Sequence, residues 1–379
     1  MKNLFLFFTF ANSLEDWFSN GSVYREIDYY QSLVKYFGFG KVYWATYGER
    51  DYKFIQKIPK EIVILPKKLH LPNLIYSLII PFLYKKEIKS SLLIKTNQIL
   101  GAWSAILARV IYQKPLFLRS GYTLSLSTYE DGGFKEKVKK LLFFLLESIA
   151  YLSSDIATVT SQTQKRYLVK KYKLDDKVLV LPNPINTAIF KPIKLKRKLR
   201  KRIIKILFVG RLNRVKNLRA FLLALRSIDN VSLDIVGKGE EEKFLKNYAR
   251  KNRIKVNFLG VVRNNDLPTI YNQYDIYTQV SFWEGNPKTI LEAMACGLPC
   301  LCSNVRGINE VIRHNYNGWL VGTDSDNIRK GIIKLMSDKK LREKLSKNAR
   351  ETIEKQYSLE RVLKKEINLY NQLIHFKND

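Results

Sequence analysis

The chain has 379 residues, 46% of them hydrophobic, enough for two or three domains with sizeable cores. Its 66 basic and 34 acidic residues leave a net charge of +32, which points to an anionic membrane surface first, a solvated lysine-rich surface second and nucleic acid last, because the basic residues are scattered and not interleaved with aromatics. Cys296, Cys300 and Cys302, odd in number and without a histidine cluster nearby, argue against a disulfide framework and against zinc and fit a reducing cytoplasm, and no apolar run reaches the length of a membrane-spanning helix.

The apolar start, MKNLFLFFTF, is short for a secretory leader and no A-x-A-like site follows it. Residues 4–10 therefore read as the buried first strand of a parallel sheet. A loop over 11–20 leads to Gly21 and Ser22, which open a helix to about residue 37. Glycine at that turn lets a ligand approach the backbone, with an ordinary β–α turn as the alternative. Strands follow at 41–46 and 62–65.

The segment 66–89 is unusual, since its leucines and isoleucines from Leu69 to Leu83 are interrupted by Pro72 and Pro81 and flanked by Lys67-Lys68 and Lys85-Lys86. Residues 134–152 have the same chemistry, with Lys135, Lys137, Lys139 and Lys140 ahead of LLFFLL. Each alone reads as a crossover helix packed on the sheet; together, with the excess charge, they suggest that the first half associates peripherally with an anionic membrane surface.

Strands are expected at 92–96 and 115–119. Arg119 ends the second, and Ser120-Gly121-Tyr122 begin a polar loop to 133, at the end of a strand where open α/β sheets bind ligands. Strands at 155–159 and 178–181 complete the first half. A basic run from Lys191 to Lys205 lacks aromatics for base stacking and reads as a solvated linker.

The second half repeats the pattern. A strand over 203–209 ends at Gly210-Arg211, and Lys216-Asn217 open a helix. The strand 231–236 leads into Gly237-Lys238-Gly239, the strand 256–260 into Val261-Val262, and 266–273 is a short helix. Residues 275–280 end a strand, and VSFWEGNPKTILEAMACGLP over 280–299 then reads as strand end, turn, helix and stop. Asn286 suits the N-cap, Pro287 the first helical turn and Gly297 the left-handed position after the helix. A helix N-terminus at a strand mouth suits an anion, whereas Glu284 and Glu292 are acceptors for hydroxyls, so the ligand should carry both phosphate and sugar-like groups. Further on, 299–303 is a strand, Arg306 to Glu310 turn into a helix and 318–321 is the last strand. Asp324-Ser325-Asp326 precedes a helical pattern and reads as a cap in preference to a metal pair. Residues 357–376 form one amphipathic helix.

The two glutamates seven residues apart, within EGNPKTILEAMACGLP, closely resemble the nucleotide-sugar signature of the retaining glycosyltransferases of family 4. VGRLNRVKN at 209–217 resembles that family's diphosphate clamp, and the two strings occur in family order. PNPIN at 182–186 resembles the P-N-G-x-D turn that closes the family's first domain, departing from it at Pro184 and Asn186, and the histidine common in the family's first domain has no counterpart between His70 and His314.

The resemblance implies the α/β GT-B fold: two Rossmann-like domains with parallel sheets facing across a cleft, over 1–186 and 204–356, joined by a basic linker over 187–203. A helix over 357–379 would cross back to the first domain. It implies a retaining transfer of a sugar from a UDP- or GDP-sugar to a saccharide or lipid-linked saccharide, in cell-envelope or capsule synthesis, at the cytoplasmic side and without a metal. Arg211, Lys216 and Glu284 would be catalytic. Gly21, Gly210, Gly237, Gly239, Val262, Gly285, Asn286, Pro287, Lys288, Thr289 and Glu292 would bind the donor, and Arg119 and Tyr122 would lie on the acceptor side. Two rivals stand beside this reading: a sugar-nucleotide epimerase on a related fold, which the scarcity of histidines disfavours, and a non-catalytic basic module binding lipid or nucleic acid, which the intact motifs disfavour.

Overall fold

The computed structural model describes residues 2–19, 21–121, 123–127, 134–174, 177–193 and 203–375. The chain divides into two compact units, Met1–Pro182 with Val362–Asp379, and Asn183–Arg361. In the first unit, β1 (Asn3–Phe7), β2 (Lys41–Ala45), β3 (Ile62–Leu65), β4 (Ser91–Thr96), β5 (Leu116–Ser120), β6 (Ile156–Val159) and β7 (Val178–Val180) form one parallel sheet in the order β3-β2-β1-β4-β5-β6-β7. Every residue of β1 is buried, as an apolar run covered on both faces should be.

In the second unit, β8 (Ile204–Val209), β9 (Val231–Val236), β10 (Val256–Gly260), β11 (Ile276–Gln279), β12 (Cys300–Ser303) and β13 (Trp319–Val321) form a parallel sheet in the order β10-β9-β8-β11-β12-β13. Successive side chains of β8 point to opposite faces. Leu207 and Val209 join a core with the helix Lys288–Ala295, and Ile206 and Phe208 join a second core with the helices Leu218–Leu225 and Ser325–Ser337. The strand order reverses between β8 and β11, and open sheets hold ligands beyond the carboxyl ends of strands at such a point.

Several expectations change in detail. The turn after Arg306 does not become a helix: Ile308 and Asn309 N–H both return to Val305 O, and Gly307, at φ 83°, lies outside the helical region. The tail is interrupted at Ser358, which is extended and pairs with Ile185, so the last helix is Leu359–His375. Ile185 N–H donates to Tyr357 O and Leu359 N–H donates to Ile185 O, and this backbone exchange is incompatible with a continuous helix. Asp324 caps the Ser325–Ser337 helix as read, accepting from Asn327 N at 2.9 Å. The linker residues 194–202 and Phe376 lie outside the described residues.

From Val362 the chain rejoins the first unit. There Glu366 accepts from Lys95 Nζ and from the Tyr370 hydroxyl, with both charged side chains fully buried. Lys95 also sits over the rings of Tyr29, at 4.9 Å, and Phe117, at 5.6 Å. Burial pushes the Glu366 carboxyl up to about 8 and the Lys95 ammonium well down. Such a pair fixes one docking of the last helix, while desolvation offsets most of its Coulomb attraction. Removing one partner strands the other: Lys95→Met and Glu366→Leu alone should each cost about 3–5 kcal/mol, and the double variant less than either. Urea midpoints check this, and single variants as stable as the wild type would contradict it.

A second constraint sits where β8 and β9 end. Gly237 has φ +134°, and a Cβ there would lie 1.9 Å from Gly210 O. Gly237→Ala should therefore lower the melting temperature by several degrees and weaken any ligand bound at this turn; an unchanged melting curve would show that the two turns can part.

Candidate functional site

Three backbone turns stack beyond the ends of β8, β9 and β10. Gly210 N–H donates to Val236 O at 2.9 Å, Leu212 N–H to Lys238 O at 2.9 Å and Gly237 N–H to Gly260 O at 2.7 Å. A Cβ on Gly239 would lie 2.2 Å from Leu212 O, so Gly210, Gly237 and Gly239 stand where main chains touch. From this stack the chain continues through Arg211 to the short turn Arg214–Lys216 and a left-handed Asn217, whose side-chain amide donates to Thr323 O at 2.8 Å.

The Glu284 carboxylate is the centre of the site. Its Oε1 accepts from Lys216 Nζ at 2.6 Å, Gln279 Nε2 at 2.5 Å and Ser281 Oγ at 2.6 Å, and Oε2 takes no donor among the described residues. The pair is largely shielded, with side-chain exposures of 18% for Lys216 and 13% for Glu284, so its attraction exceeds that of a surface ion pair. The backbone holds the loop from both sides: Phe282 N–H donates to Val215 O at 2.9 Å and Glu284 N–H to Arg306 O at 3.1 Å. A Cβ on Gly307 would meet Glu284 O at 2.1 Å, so glycine there admits the loop.

A polar chain runs from this centre to Glu292. Gln279 Oε1 accepts from Thr289 Oγ1 at 2.9 Å and from Tyr277 Oη at 2.8 Å. Tyr271 Oη reaches Thr289 O at 3.3 Å and donates to Glu292 Oε2 at 3.0 Å, and Asn264 Nδ2 donates to Glu292 Oε1 at 3.3 Å. Glu292 is 2% exposed, and burial beside it pushes the Tyr271 phenol well up, so that hydroxyl stays a donor.

The expected capping by Asn286 does not occur. The helix is Lys288–Ala295, Pro287 stands at its cap position, and no side chain caps it. Asn286 is engaged elsewhere: its Oδ1 accepts from Asn183 N–H at 3.1 Å and its carbonyl from Asn183 Nδ2 at 2.9 Å. The helix therefore presents an end unblocked by a cap, preceded by Gly285 and carrying Lys288 and Thr289 in its first turn. Gly297 closes it with φ +72°, the left-handed value expected there.

The structure thus brings Lys216, Glu284, Thr289 and Glu292 into one connected network. Arg211 is exposed beside it in sequence, and its side chain makes no hydrogen bond or ion pair among the described residues. Val262 packs against the core that holds the Lys288–Ala295 helix. Gly21 belongs to the first unit, where it precedes the helix Val23–Phe37 with φ +72°. Arg119, also in the first unit, turns its guanidinium onto Tyr29, 5.5 Å from the ring, with Nη1 3.4 Å from the hydroxyl. Tyr122 lies outside the described residues. Sequence reasoning missed Gln279, Ser281, Tyr271 and Asn264; a polar residue ending an otherwise apolar strand, as Gln279 does, was the one signal available.

Residues 190–352 match the family model of the glycosyl transferases group 1. The chain is 30% identical over 256 residues, 63% of its length, to the UDP-Gal:alpha-D-GlcNAc-diphosphoundecaprenol alpha-1,3-galactosyltransferase of Escherichia coli. It is 30% identical over 254 residues to the uncharacterized glycosyltransferase MJ1607 of Methanocaldococcus jannaschii. It spans 66% and 65% of those relatives' own lengths, just under two thirds. Among solved structures, sucrose-phosphate synthase from Thermosynechococcus elongatus superposes with a TM-score of 0.82 over 99% of this chain and 100% of that one at 18% identity. Anabaena Alr3699/HepE in complex with UDP and glucose does so with a TM-score of 0.77 over 98% of this chain and 100% of that one at 15% identity. These likenesses establish the GT-B fold for the two Rossmann-like units. The likeness to the glycosyl transferases group 1 is thus carried by residues 190–352, within the second unit.

Proposed function

We propose that the chain transfers a sugar from a UDP- or GDP-sugar to a saccharide carried on a lipid, with retention at the anomeric carbon, in cell-envelope polysaccharide synthesis. The observation that carries the reading is the half-buried Lys216–Glu284 pair at the switch point of the second sheet, with Glu292 linked to it through Gln279, Thr289 and Tyr271. The name of the E. coli relative, with its UDP-galactose donor and diphosphoundecaprenol-linked acceptor, and the UDP held by Alr3699/HepE support both substrate classes.

In this reaction the bond from the anomeric carbon to the diphosphate breaks, and a bond from that carbon to an acceptor oxygen forms on the same face. The acceptor's proton passes to the departing phosphate oxygen. Negative charge therefore builds on the diphosphate, and the groups suited to receive it are Lys216, Arg211 and the uncapped start of the Lys288–Ala295 helix. Lys216 would move from Glu284 onto a phosphate, which frees Glu284 to accept from the transferred sugar's hydroxyls. Glu292 would accept from the ribose. Arg119 and Tyr122 remain the acceptor-side candidates.

Two outcomes follow. With UDP-galactose and a diphosphoundecaprenol-linked saccharide, or whichever UDP- or GDP-sugar proves active, Lys216→Ala and Glu284→Ala should each lower turnover about 10²–10³-fold with unchanged melting curves; near-normal turnover in either would remove its role. Glu292→Gln should weaken binding of UDP or GDP about tenfold or more by calorimetry, because a charge-assisted acceptor is lost. Unchanged affinity for both nucleotides would place the ribose elsewhere.

A further inference from the structure

Two helices of the first unit wear their apolar stripes on the outside. The helix Asn73–Leu83 buries Tyr76, Ser77 and Ile80 but exposes Leu74, Ile75, Leu78 and Phe82, by 60%, 49%, 48% and 58%. Its inner side is fixed by polar bonds to the helix Ala102–Tyr112: Trp103 Nε1 donates to Ser77 Oγ at 2.8 Å, Ser104 Oγ to Ser77 O at 2.5 Å and Tyr112 Oη to Pro81 O at 3.2 Å.

The helix Phe134–Ser153 exposes a longer stripe. Leu141, Leu142, Leu145, Ile149 and Leu152 recur at helical spacing, the pattern of a core-facing stripe, yet they are 48–59% exposed. The inward side carries Ala150 and Tyr151, both buried in the core, together with Glu147, fully buried and accepting from Ser125 N–H at 3.3 Å and Ser125 Oγ at 2.5 Å. Packing of both stripes on the sheet, the simpler expectation for either helix alone, is therefore not what the structure has.

The helix Ala102–Tyr112 packs against both of these helices, which makes the three neighbours, and it exposes Val110 by 66%. Its end is tied to the basic rim, since Lys114 Nζ donates to Lys89 O at 2.8 Å. Lys85, Lys86 and Lys89 stand exposed just beyond Phe82 and Leu83, and Lys68 just before the Asn73–Leu83 helix. Apolar residues gathered on adjacent helices with a basic rim are unlike the scattered apolar residues of an ordinary surface.

We propose that this face docks on an anionic lipid bilayer, with the two stripes in the boundary between headgroups and acyl chains and the lysines among the headgroups. Charge decides between the occupants that an apolar face could take. With a net charge of +32, a second copy would set one lysine rim against another, whereas anionic headgroups neutralise it. The contact is interfacial, since no described helix is long and apolar enough to cross a membrane. Nothing in this inference depends on the donor site.

The test is co-sedimentation of the full chain, without nucleotide, with vesicles of phosphatidylcholine alone and of phosphatidylcholine mixed with phosphatidylglycerol. Binding should favour the anionic vesicles by about tenfold or more and fall as salt rises. Leu74→Asp with Phe82→Asp, and Leu141→Asp with Leu145→Asp, should each lower it about tenfold while UDP or GDP affinity and the circular-dichroism melt stay unchanged. The triple variant Lys85→Glu, Lys86→Glu, Lys89→Glu, confined to exposed positions, gives the same reading should an aspartate variant fold poorly. Negligible wild-type binding to both vesicle types, or wild-type binding in all folded variants, would overturn the proposal. So would a concentration-dependent dimer, seen by sedimentation velocity and lost with Leu141→Asp and Leu145→Asp, in a chain that ignores vesicles.

Discussion

One carboxylate oxygen, Glu284 Oε1, receives an ammonium, an amide and a hydroxyl from two segments, and the rest of the site is arranged around that convergence. Lys216 arrives from the turn after β8, and Gln279 and Ser281 come from the end of β11 and the loop after it. Those strands are neighbours only because the order of the sheet reverses between them. Without Glu284 as its partner, Lys216 would be a long side chain free to sample many rotamers. Here Glu284 holds it in one place before any ligand arrives, so part of the cost of ordering it is met on folding. In the proposed transfer the lysine would leave Glu284 for a phosphate as the donor binds, so its charge would be in place before the leaving group gains its own.

The same logic governs the main chain. The turns after β8, β9 and β10 approach one another so closely that side chains at Gly237 and Gly239 would collide with carbonyl oxygens. This packing joins the turn at 210–212 and the glycine turn at 237–239 in one block. The Glu284 loop is likewise admitted by Gly307 and pinned by backbone bonds to Val215 and Arg306. Chemistry-bearing side chains therefore emerge from a scaffold of touching backbones, and glycine at those positions serves packing before it serves any ligand.

Much of this was legible in the sequence because it is local. Apolar runs of five or six residues ending in glycine mark parallel strands, and the strings around Arg211, Lys216 and Glu284 carried the family likeness. What could not be read depends on partners far along the chain. Asn286 looks like a helix cap, but Asn183, 103 residues away, engages it. Lys95 and Glu366 are separated by 271 residues, and neither looks unusual alone. Tyr271 and Gln279 read as ordinary strand or helix residues until their bonds to Glu292 and Glu284 are seen. The stripe of Leu141, Leu145 and Ile149 shows a helical face but not its direction, because the same spacing serves a core or a membrane; only the structure shows that Glu147, Ala150 and Tyr151 are the buried side.

The most direct measurement is a crystal structure of the protein with an intact or hydrolysed nucleotide sugar. The account predicts the diphosphate against Lys216, Arg211 and the start of the Lys288–Ala295 helix, the ribose hydroxyls on Glu292, and Lys216 Nζ drawn away from Glu284 toward a phosphate oxygen. A nucleotide bound in the first unit, or one whose phosphates lie out of reach of Lys216 while the Lys216–Glu284 pair stays closed, would contradict it.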